Sequence, residues 1–322
     1  MSGNMAVYIL KRILIAILIV FLVSVFAKAL MHMLPGDPVR LAMGFEAKEE
    51  DVEAFRVRMN LDKPIHMQYI LWVKGLFKGD MGWSVLYDRP NRDIFAERLP
   101  RSIAIGLPAV IISSVFAIIF GIICAVNRGK WSDQIITFLM TLGLGTPVFW
   151  LGIFGIYIFA IRLRVLPIQG FTSPFVNFGE YVRKAILPVA CMSIPMIAGV
   201  ARQTRTNMLD AINQDYVRTA RAYGISERKI QMKYALKNAL IPVVTIIGLQ
   251  LRIVIGGSVL IENVFNIPGI GSLLVTAINN RDYFVVQNAV LLISIFTVSV
   301  NLLVDILYGF IDPKIRLERK GG

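Results

Sequence analysis

Residues 215–242 read DYVRTARAYGISERKIQMKYALKNALIP and carry six basic residues beside two acids, in a chain that is otherwise mostly hydrocarbon. Gly224 interrupts the stretch, and Ser226 with Glu227 behind it offers a helix cap and a first-turn acid, so the segment reads as helix, sharp turn, helix. Before the glycine, Tyr216, Ala220 and Tyr223 fall on one helical face, while Arg218 and Arg221 share another. One side is for packing and the other for a charged partner. Lipid headgroups would account for the eight basic residues between 202 and 239. They do not account for Thr219, Ala220, Ala222 and Gly224 at the turn, whose small side chains let a second surface approach the backbone.

To either side the sequence turns apolar. Of 322 residues 56% are hydrophobic and 17% charged, with a mean hydropathy of +0.65, which excludes an ordinary soluble domain and fits an integral membrane protein. A membrane leaves only helices or a closed barrel, because backbone groups in hydrocarbon must be satisfied internally. The apolar runs are roughly 18–25 residues long without alternation, which is helix length and not the ~10-residue dyad of barrel strands. The expectation is an all-α membrane protein with six transmembrane helices near 9–31, 103–126, 135–160, 185–201, 241–261 and 285–308. Pro188 and Pro195 interrupt the fourth, a defect that neighbouring helices repair. Thr146 and Pro147 mark a kink in the third.

Charge orients the spans. Lys11 and Arg12 open the first span, Arg128 and Lys130 follow the second, eight basic residues lie between 202 and 239, and four follow 308. The alternate short loops carry four (161–184) and one (262–284), so both termini and the 215–242 stretch are expected in the cytoplasm. Segment 32–102, with eleven basic and eleven acidic residues, is external by elimination. The opening apolar run lacks a small-residue cleavage site and reads as a retained span. The organisation is then 1–31 with the first span, 32–98 as an external helical insertion, 99–309 as the transmembrane core containing the loop 202–239, and a tail at 310–322. Within the insertion, Val52, Phe55 and Met59, and then Ile65, Tyr69, Trp72 and Leu76, recur at helical spacing. Pro64 suits a first turn after a cap at Asp62. Two amphipathic helices lying on the outer leaflet or over the bundle follow.

The net charge of +13 is read as insertion bias and lipid contact, not nucleic-acid binding. Cys124 and Cys191 sit in apolar runs as small hydrophobes, and His32 and His66 at the outer interface lack any H-E-x-x-H constellation, so no metal site is expected. There is no G-x-x-x-x-G-K-[ST] loop for ATP and no G-x-S-x-G nucleophile. Three ionisable residues fall inside spans. Lys28 near the outer end and Asp305 near the inner end can snorkel or bond locally, but Arg252 lies some 16 Å into the fifth span at ~1.5 Å per residue. Gly256, Gly257 and Ser258 beyond it form a small-residue patch suited to close helix packing. ENVFNIPGIG, residues 262–271, is a Gly- and Pro-punctuated external loop.

TARAYG, followed by a second helix and NALIP, resembles the cytoplasmic loop motif of type I ABC importer permeases. The leading Glu-Ala-Ala of that motif falls on Arg218, Thr219 and Ala220 and its glycine on Gly224; the glutamate is an arginine here, and the motif's proline position holds Lys237. DYVRTARA, HMLPGDPVR, LDKP, GDMGWS, TPVFWLG, PGIGSLL, RDYFVVQ and NLLVDILYGFIDPKIR make the chain similar to the peptide and nickel branch over nearly its whole length. The resemblance implies a type I ABC importer permease fold in the cytoplasmic membrane of a prokaryote. It implies a heterodimer with a second homologous permease, two ATPase subunits that hold ATP and Mg, and a solute-binding protein. It also implies a short peptide as solute, with nickel chelates, glutathione-like peptides, opines and oligosaccharides as alternatives. Asp215, Tyr216, Arg218, Thr219, Ala220, Arg221, Ala222, Gly224 and Ser226 become the coupling helix to an ATPase. Arg252, Gly256 and Ser258 are assigned to the translocation path, where Arg252 attracts an anionic group unless it bonds helix carbonyls or a partner's acid. Asn263, Phe265, Pro268, Asp282 and Tyr283 are assigned to an outer gate or a binding-protein contact. An ATP-independent channel or secondary transporter is the competing class, against which stand the lack of buried acid or histidine relays and of an inverted repeat. A membrane hydrolase is a more distant one.

Overall fold

Apolar runs of this length close their backbone hydrogen bonds within themselves, and the computed structural model is accordingly built of helices. It describes residues 2–33, 39–40 and 46–311, with side chains over 7–29, 39–40 and 46–307. Most of HMLPGDPVR, the His32 side chain and the tail beyond 311 lie outside the described residues. In order come α1 (Ser2–Met33), α2 (Glu49–Arg58), α3 (Ile65–Phe77) and a small hairpin of β1 (Trp83–Ser84) and β2 (Arg89–Pro90). Its strands pair antiparallel, Trp83 opposite Pro90 and Ser84 opposite Arg89. Then follow α4 (Asn91–Val126), α5 (Trp131–Gly145), α6 (Val148–Gly155) continuing as a π-helical stretch (Ile156–Arg162), α7 (Phe178–Ile212) and α8 (Asp215–Ala222). A turn (Glu227–Lys229) and a second π-helical stretch (Ile230–Ala235) lead into α9 (Leu236–Gln250), then α10 (Ile253–Gly256), α11 (Val259–Val264), α12 (Ile270–Asn279) and α13 (Tyr283–Ile311).

Among the described residues, five helical stretches are long and apolar enough to cross a membrane: Val7–Ala29, Asn91–Val126, Phe178–Ile212, Glu227–Val264 and Tyr283–Leu307. The pair α5 and α6 meets at 102°, the geometry of either a broken span or a re-entrant loop. Packing decides between them. Tyr181 donates to Ala104 O at 2.6 Å and Ser193 to Ala109 O at 3.2 Å, and Gly121 lies against Ala201 and Thr204, so α4 and α7 run parallel. The chain between them must therefore cross once. Its contacts climb α7 in order, from the Asp133–Arg205 ion pair through Gly143 on Ile194 and Ala198 to Gly155 on Leu187 and Cys191. The described residues thus form six spans, the third broken. The expected kink is sharper than a bend because Pro147 cannot continue α5 and holds Thr146 extended, at φ −93° and ψ 124°.

The helices outrun their apolar windows. α4 starts at Asn91, ahead of the apolar window at 103, and α7 covers 178–212 rather than 185–201 with both prolines inside it. Polar turns continue these helices past the hydrocarbon, where composition no longer marks them. The fifth span is also segmented, with breaks after Gln250 and Gly256.

The insertion caps one face of the bundle. Trp72 Nε1 donates to Asn288 Oδ1 (3.2 Å), Asn288 Nδ2 to Met81 O (2.6 Å), and Ser84 Oγ to Asp282 Oδ2 (2.6 Å), fastening it to the start of α13. Val52 is fully buried, as its spacing predicts. On α3 the expected apolar face is displaced: Ile65 is exposed and Gln68 turns inward, donating to Lys63 O and Leu61 O. Pro64 itself occupies the cap position and Asp62 caps nothing. Lys28 does not snorkel but is buried beneath the insertion, whereas Asp305 bonds locally, to Arg12 at 2.8 Å, on the opposite, basic face.

Parallel contact of α4 and α7 requires a glycine where the backbones meet: a Cβ on Gly121 would stand 2.4 Å from Thr204 Cβ and 2.8 Å from Ala201 O. Gly121→Val should lower the thermal unfolding midpoint in detergent by the several degrees that ~1–3 kcal/mol of overpacking implies. Gly199→Ala, whose Cβ meets nothing within 4 Å, should leave it unchanged or raise it.

Candidate functional site

On the basic face, α8 begins with Asp215, an acid where the helix dipole favours one. Val217 and Ala220 are buried against Ile230 and the half-buried Ile225, a small apolar cluster beneath the helix. The packing side therefore differs from the Tyr216, Ala220, Tyr223 face expected from spacing. Val217 leads it, while Tyr216 and Tyr223 are 38% and 83% exposed. At the C-terminus Gly224 N donates to Arg221 O (2.9 Å) and Ile225 N to Ala220 O (3.2 Å), with Gly224 at φ +73°. This is a Schellman stop, completed by apolar contact between Ile225 and Ala220. Nothing lies within 4 Å of a Cβ built on Gly224, so the left-handed backbone, not space, demands glycine.

Arg221 reaches across the turn to Glu227 (2.6 Å) and Arg218 back to Asp215 (3.3 Å). The Glu227 hydrogen bond raises the Arg221 pKa above its ordinary value, so its charge is constant. Ser226 stands at the cap of the next turn, but its hydroxyl makes no capping bond. Arg218, Thr219, Arg221, Ala222, Gly224 and Ser226 are exposed beside the two tyrosines. Together they form a surface of aromatic rings, fixed charge and small side chains with no further element of the described chain over it.

Behind α8 the bundle is tightly tied. Met208 and Ala211 pack with Ala125, Ala235 and Ala239, joining the ends of α4 and α7 to the start of α9. Arg205 binds the buried Asp133 bidentately at 2.8 and 2.9 Å, and Gly129 N and Thr137 Oγ1 bond the same carboxylate.

Midway along the fifth span, Arg252 occupies the break between α9 and α10, and its exposed guanidinium has no partner among the described residues. Gly256, one turn on, is exposed as well. Ser258 is buried and turned to the interior, 2.7 Å from Glu262 Oε1.

Glu262 is the residue that spacing alone missed. It is fully buried; Ser102 Oγ donates to Oε1 (2.6 Å), Ser272 N to Oε2 (2.9 Å), and Ile270 N donates in turn to Ser102 Oγ (2.8 Å). One carboxylate thus holds α4, α11 and the first turn of α12 together. The available signal was an acid closing an apolar run just ahead of the glycine at 269. Of the outer residues, Asn263 is exposed, and Pro268 and Tyr283 are partly so. Phe265 lies in the core and Asp282 is buried, accepting Val285 N at 3.2 Å as the cap of α13 while holding Ser84.

A polytopic helical bundle with an exposed helical elbow on one face and a capped opposite face is an architecture that a membrane permease component can take. The sequence comparisons agree: residues 117–317 match the family described as the binding-protein-dependent transport system inner membrane component, and residues 5–90 match its N-terminal family, so the chain belongs to these ABC transporter permeases. A "Probable peptide ABC transporter permease protein" of Sinorhizobium fredii is 39% identical over 97% of this chain and 100% of its own. A glutathione transport system permease of Shigella flexneri is 39% identical over 97% and 99%. The crystal structure of an amino acid ABC transporter with histidines superposes with a TM-score of 0.52 at 14% identity, over 68% of this chain and 94% of that one, a likeness of fold.

Glu262→Ala leaves the buried Ser102 hydroxyl and the Ser272 N–H without their acceptor, at a cost of about 1–3 kcal/mol for each group left unmet, while the Ser258 hydroxyl keeps Ile255 O. Its unfolding midpoint should fall well below that of Asn263→Ala, whose exposed side chain bonds only Val259 O in its own helix.

Proposed function

We propose that this permease pairs with a second, homologous permease to form the pathway of an ATP-driven importer of short peptides, with α8 as its coupling helix. The observation that carries the reading is the elbow at Gly224, a short helix stopped by a Schellman turn and held by its own apolar cluster. It presents Tyr216, Arg218, Arg221 and Tyr223 outward from the ends of α7 and α9. ATP and Mg are held by two ATPase subunits on that face, since this chain has no phosphate-binding loop. The excess of Lys and Arg there makes it the cytoplasmic face, with both termini on it, and leaves the insertion to meet a solute-binding protein outside.

In this reading, closure of the ATPases pushes on α8, whose cluster with Ile230 and whose link to Ile212 pass the displacement to α9 and α7. The pathway opens alternately to either side. Arg252, exposed midway along its span and without a partner among the described residues, offers a peptide carboxylate its counter-charge, strengthened where water is scarce. Peptide as solute is supported by the named relatives, glutathione being itself a short peptide.

In a background lacking Cys124 and Cys191, Ala222→Cys should crosslink to a co-expressed ATPase of the same transport system with a yield that changes on adding nucleotide. No crosslink, beside a working control pair, would return the basic face to lipid contact and favour an ATP-independent transporter. In proteoliposomes, Arg252→Ala should reduce uptake of a short peptide about tenfold or more, as loss of ~1.4 kcal/mol predicts, with Arg252→Lys intermediate. Unchanged uptake would remove Arg252 from the path.

A further inference from the structure

Where the end of α3 meets the start of α4 and the first half of α13, a groove of about 550 Å³ opens on the side of the bundle. Away from the insertion its wall is hydrocarbon, Leu76 from α3 with Leu291, Leu292 and Ile295 from α13. Asn288 and these three α13 residues recur at spacings of three and four, so they form one stripe that descends about 10 Å into the apolar span. Two cations stand at the end nearer the insertion. Lys78 closes α3 and Arg92 lies in the first turn of α4; a Cβ built on Gly79 would be 3.8 Å from Arg92 Nη1, which sets the guanidinium beside the loop that carries Lys78. Both are exposed, and neither side chain has an ion pair or hydrogen bond among the described residues. Asp80, next along the loop, is turned to Gly82 N at 2.8 Å, and no acid is among the described lining residues. The one amide at hand is spent: Asn288 Nδ2 donates to Met81 O and Phe284 O, and its Oδ1 accepts from Trp72. The open valences are therefore cationic, at the head of an apolar slot. Phe77, the residue before Lys78, is 90% exposed, an apolar ring suited to the boundary between headgroups and hydrocarbon.

We propose that this groove holds an anionic phospholipid of the leaflet on the insertion's side. Lys78 and Arg92 receive the headgroup phosphate, and one acyl chain lies along Leu291, Leu292 and Ile295. Charge singles out the anionic lipid: two such cations with no acid between them favour a headgroup of net negative charge over a zwitterionic one, whose own ammonium would meet the same cations. A sugar or a peptide backbone would need neutral hydrogen-bond partners, which the groove does not offer. Because the insertion, α4 and α13 wall the groove together, its occupant braces the insertion against the core. The site requires only that α13 cross a membrane, and it depends neither on the solute nor on an ATPase.

The test uses the full chain purified in detergent and native mass spectrometry, titrating phosphatidylglycerol and, separately, phosphatidylcholine with the same acyl chains. Phosphatidylglycerol should fill its first site about tenfold more tightly. Replacing both cations, Lys78→Gln with Arg92→Gln, should erase that preference, whereas Arg183→Gln, at an exposed cation near the start of α7 and off the groove, should retain it. Ile295→Trp, which fills the slot, should weaken binding of both lipids about tenfold. Equal affinity for the two lipids, a preference that survives the double replacement, or wild-type binding in Ile295→Trp would overturn the assignment. Displacement of the lipid by glycerol 3-phosphate would overturn it in favour of a site for free phosphate esters. Loss of the site when the chain is purified together with a second permease of the same transport system would overturn it in favour of a seam between chains. If a variant fails to fold, the comparison of the two lipids on the wild-type chain still decides.

Discussion

The parallel contact of α4 with α7 is the constraint on which the remaining architecture hangs. Two adjacent helices running the same way oblige the chain between them to return across the bundle, and that obligation makes one span of two half-helices meeting near a right angle. The contact depends on small atoms at defined heights: Gly121 at one end, Ser193 in the middle, and Tyr181 bonding Ala104 O at the other. Against this pair the broken fifth span also closes, Val254 lying so near Gly106 that a Cβ there would stand 2.6 Å from its backbone. Between them, α4 and α7 support both the elbow on the basic face and the Glu262 staple on the other.

Both faces use the same device, a buried polar group that joins elements distant in sequence. Asp133 with Arg205 locks α5 to α7 below, and Glu262 with Ser102 and Ser272 locks α4, α11 and α12 above. In hydrocarbon, where apolar contact between helices confers little preference over contact with lipid, such bonds and close small-residue approaches select one arrangement. The α8 surface differs in kind. Its outer residues are exposed and its interior is a cluster of four apolar side chains, so it is a self-supported projection from the bundle.

What was legible in the sequence followed from length and from local rules. Hydrocarbon thickness sets the spans, Gly224 sets the end of α8, and proline sets the break at 147, because each depends only on near neighbours. The rotation of α8 was not legible, since Val217 is inward only because Ile225 and Ile230 fold back beneath it. Nor was Glu262 legible as a staple, for its partner Ser102 lies 160 residues away. Phe265 and Asp282, assigned from the sequence to an outer gate or a binding-protein contact, are buried, the first in the core and the second as the cap of α13, which depends on residues distant in the chain. The inward turn of Gln68 breaks an otherwise regular apolar face.

The matched families divide the chain between residues 90 and 117, as though an N-terminal piece had been set before a self-sufficient core. The bonds of Ser84 with Asp282, Trp72 and Met81 with Asn288, and Arg12 with Asp305 all cross that division. Asp282 is at once the first cap of the last span and the anchor of the hairpin. A chain shortened to the core alone would begin its final helix beside an acid stripped of Ser84 and end it beside one stripped of Arg12. The two stretches match separate family models, yet in the structure neither closes without the other.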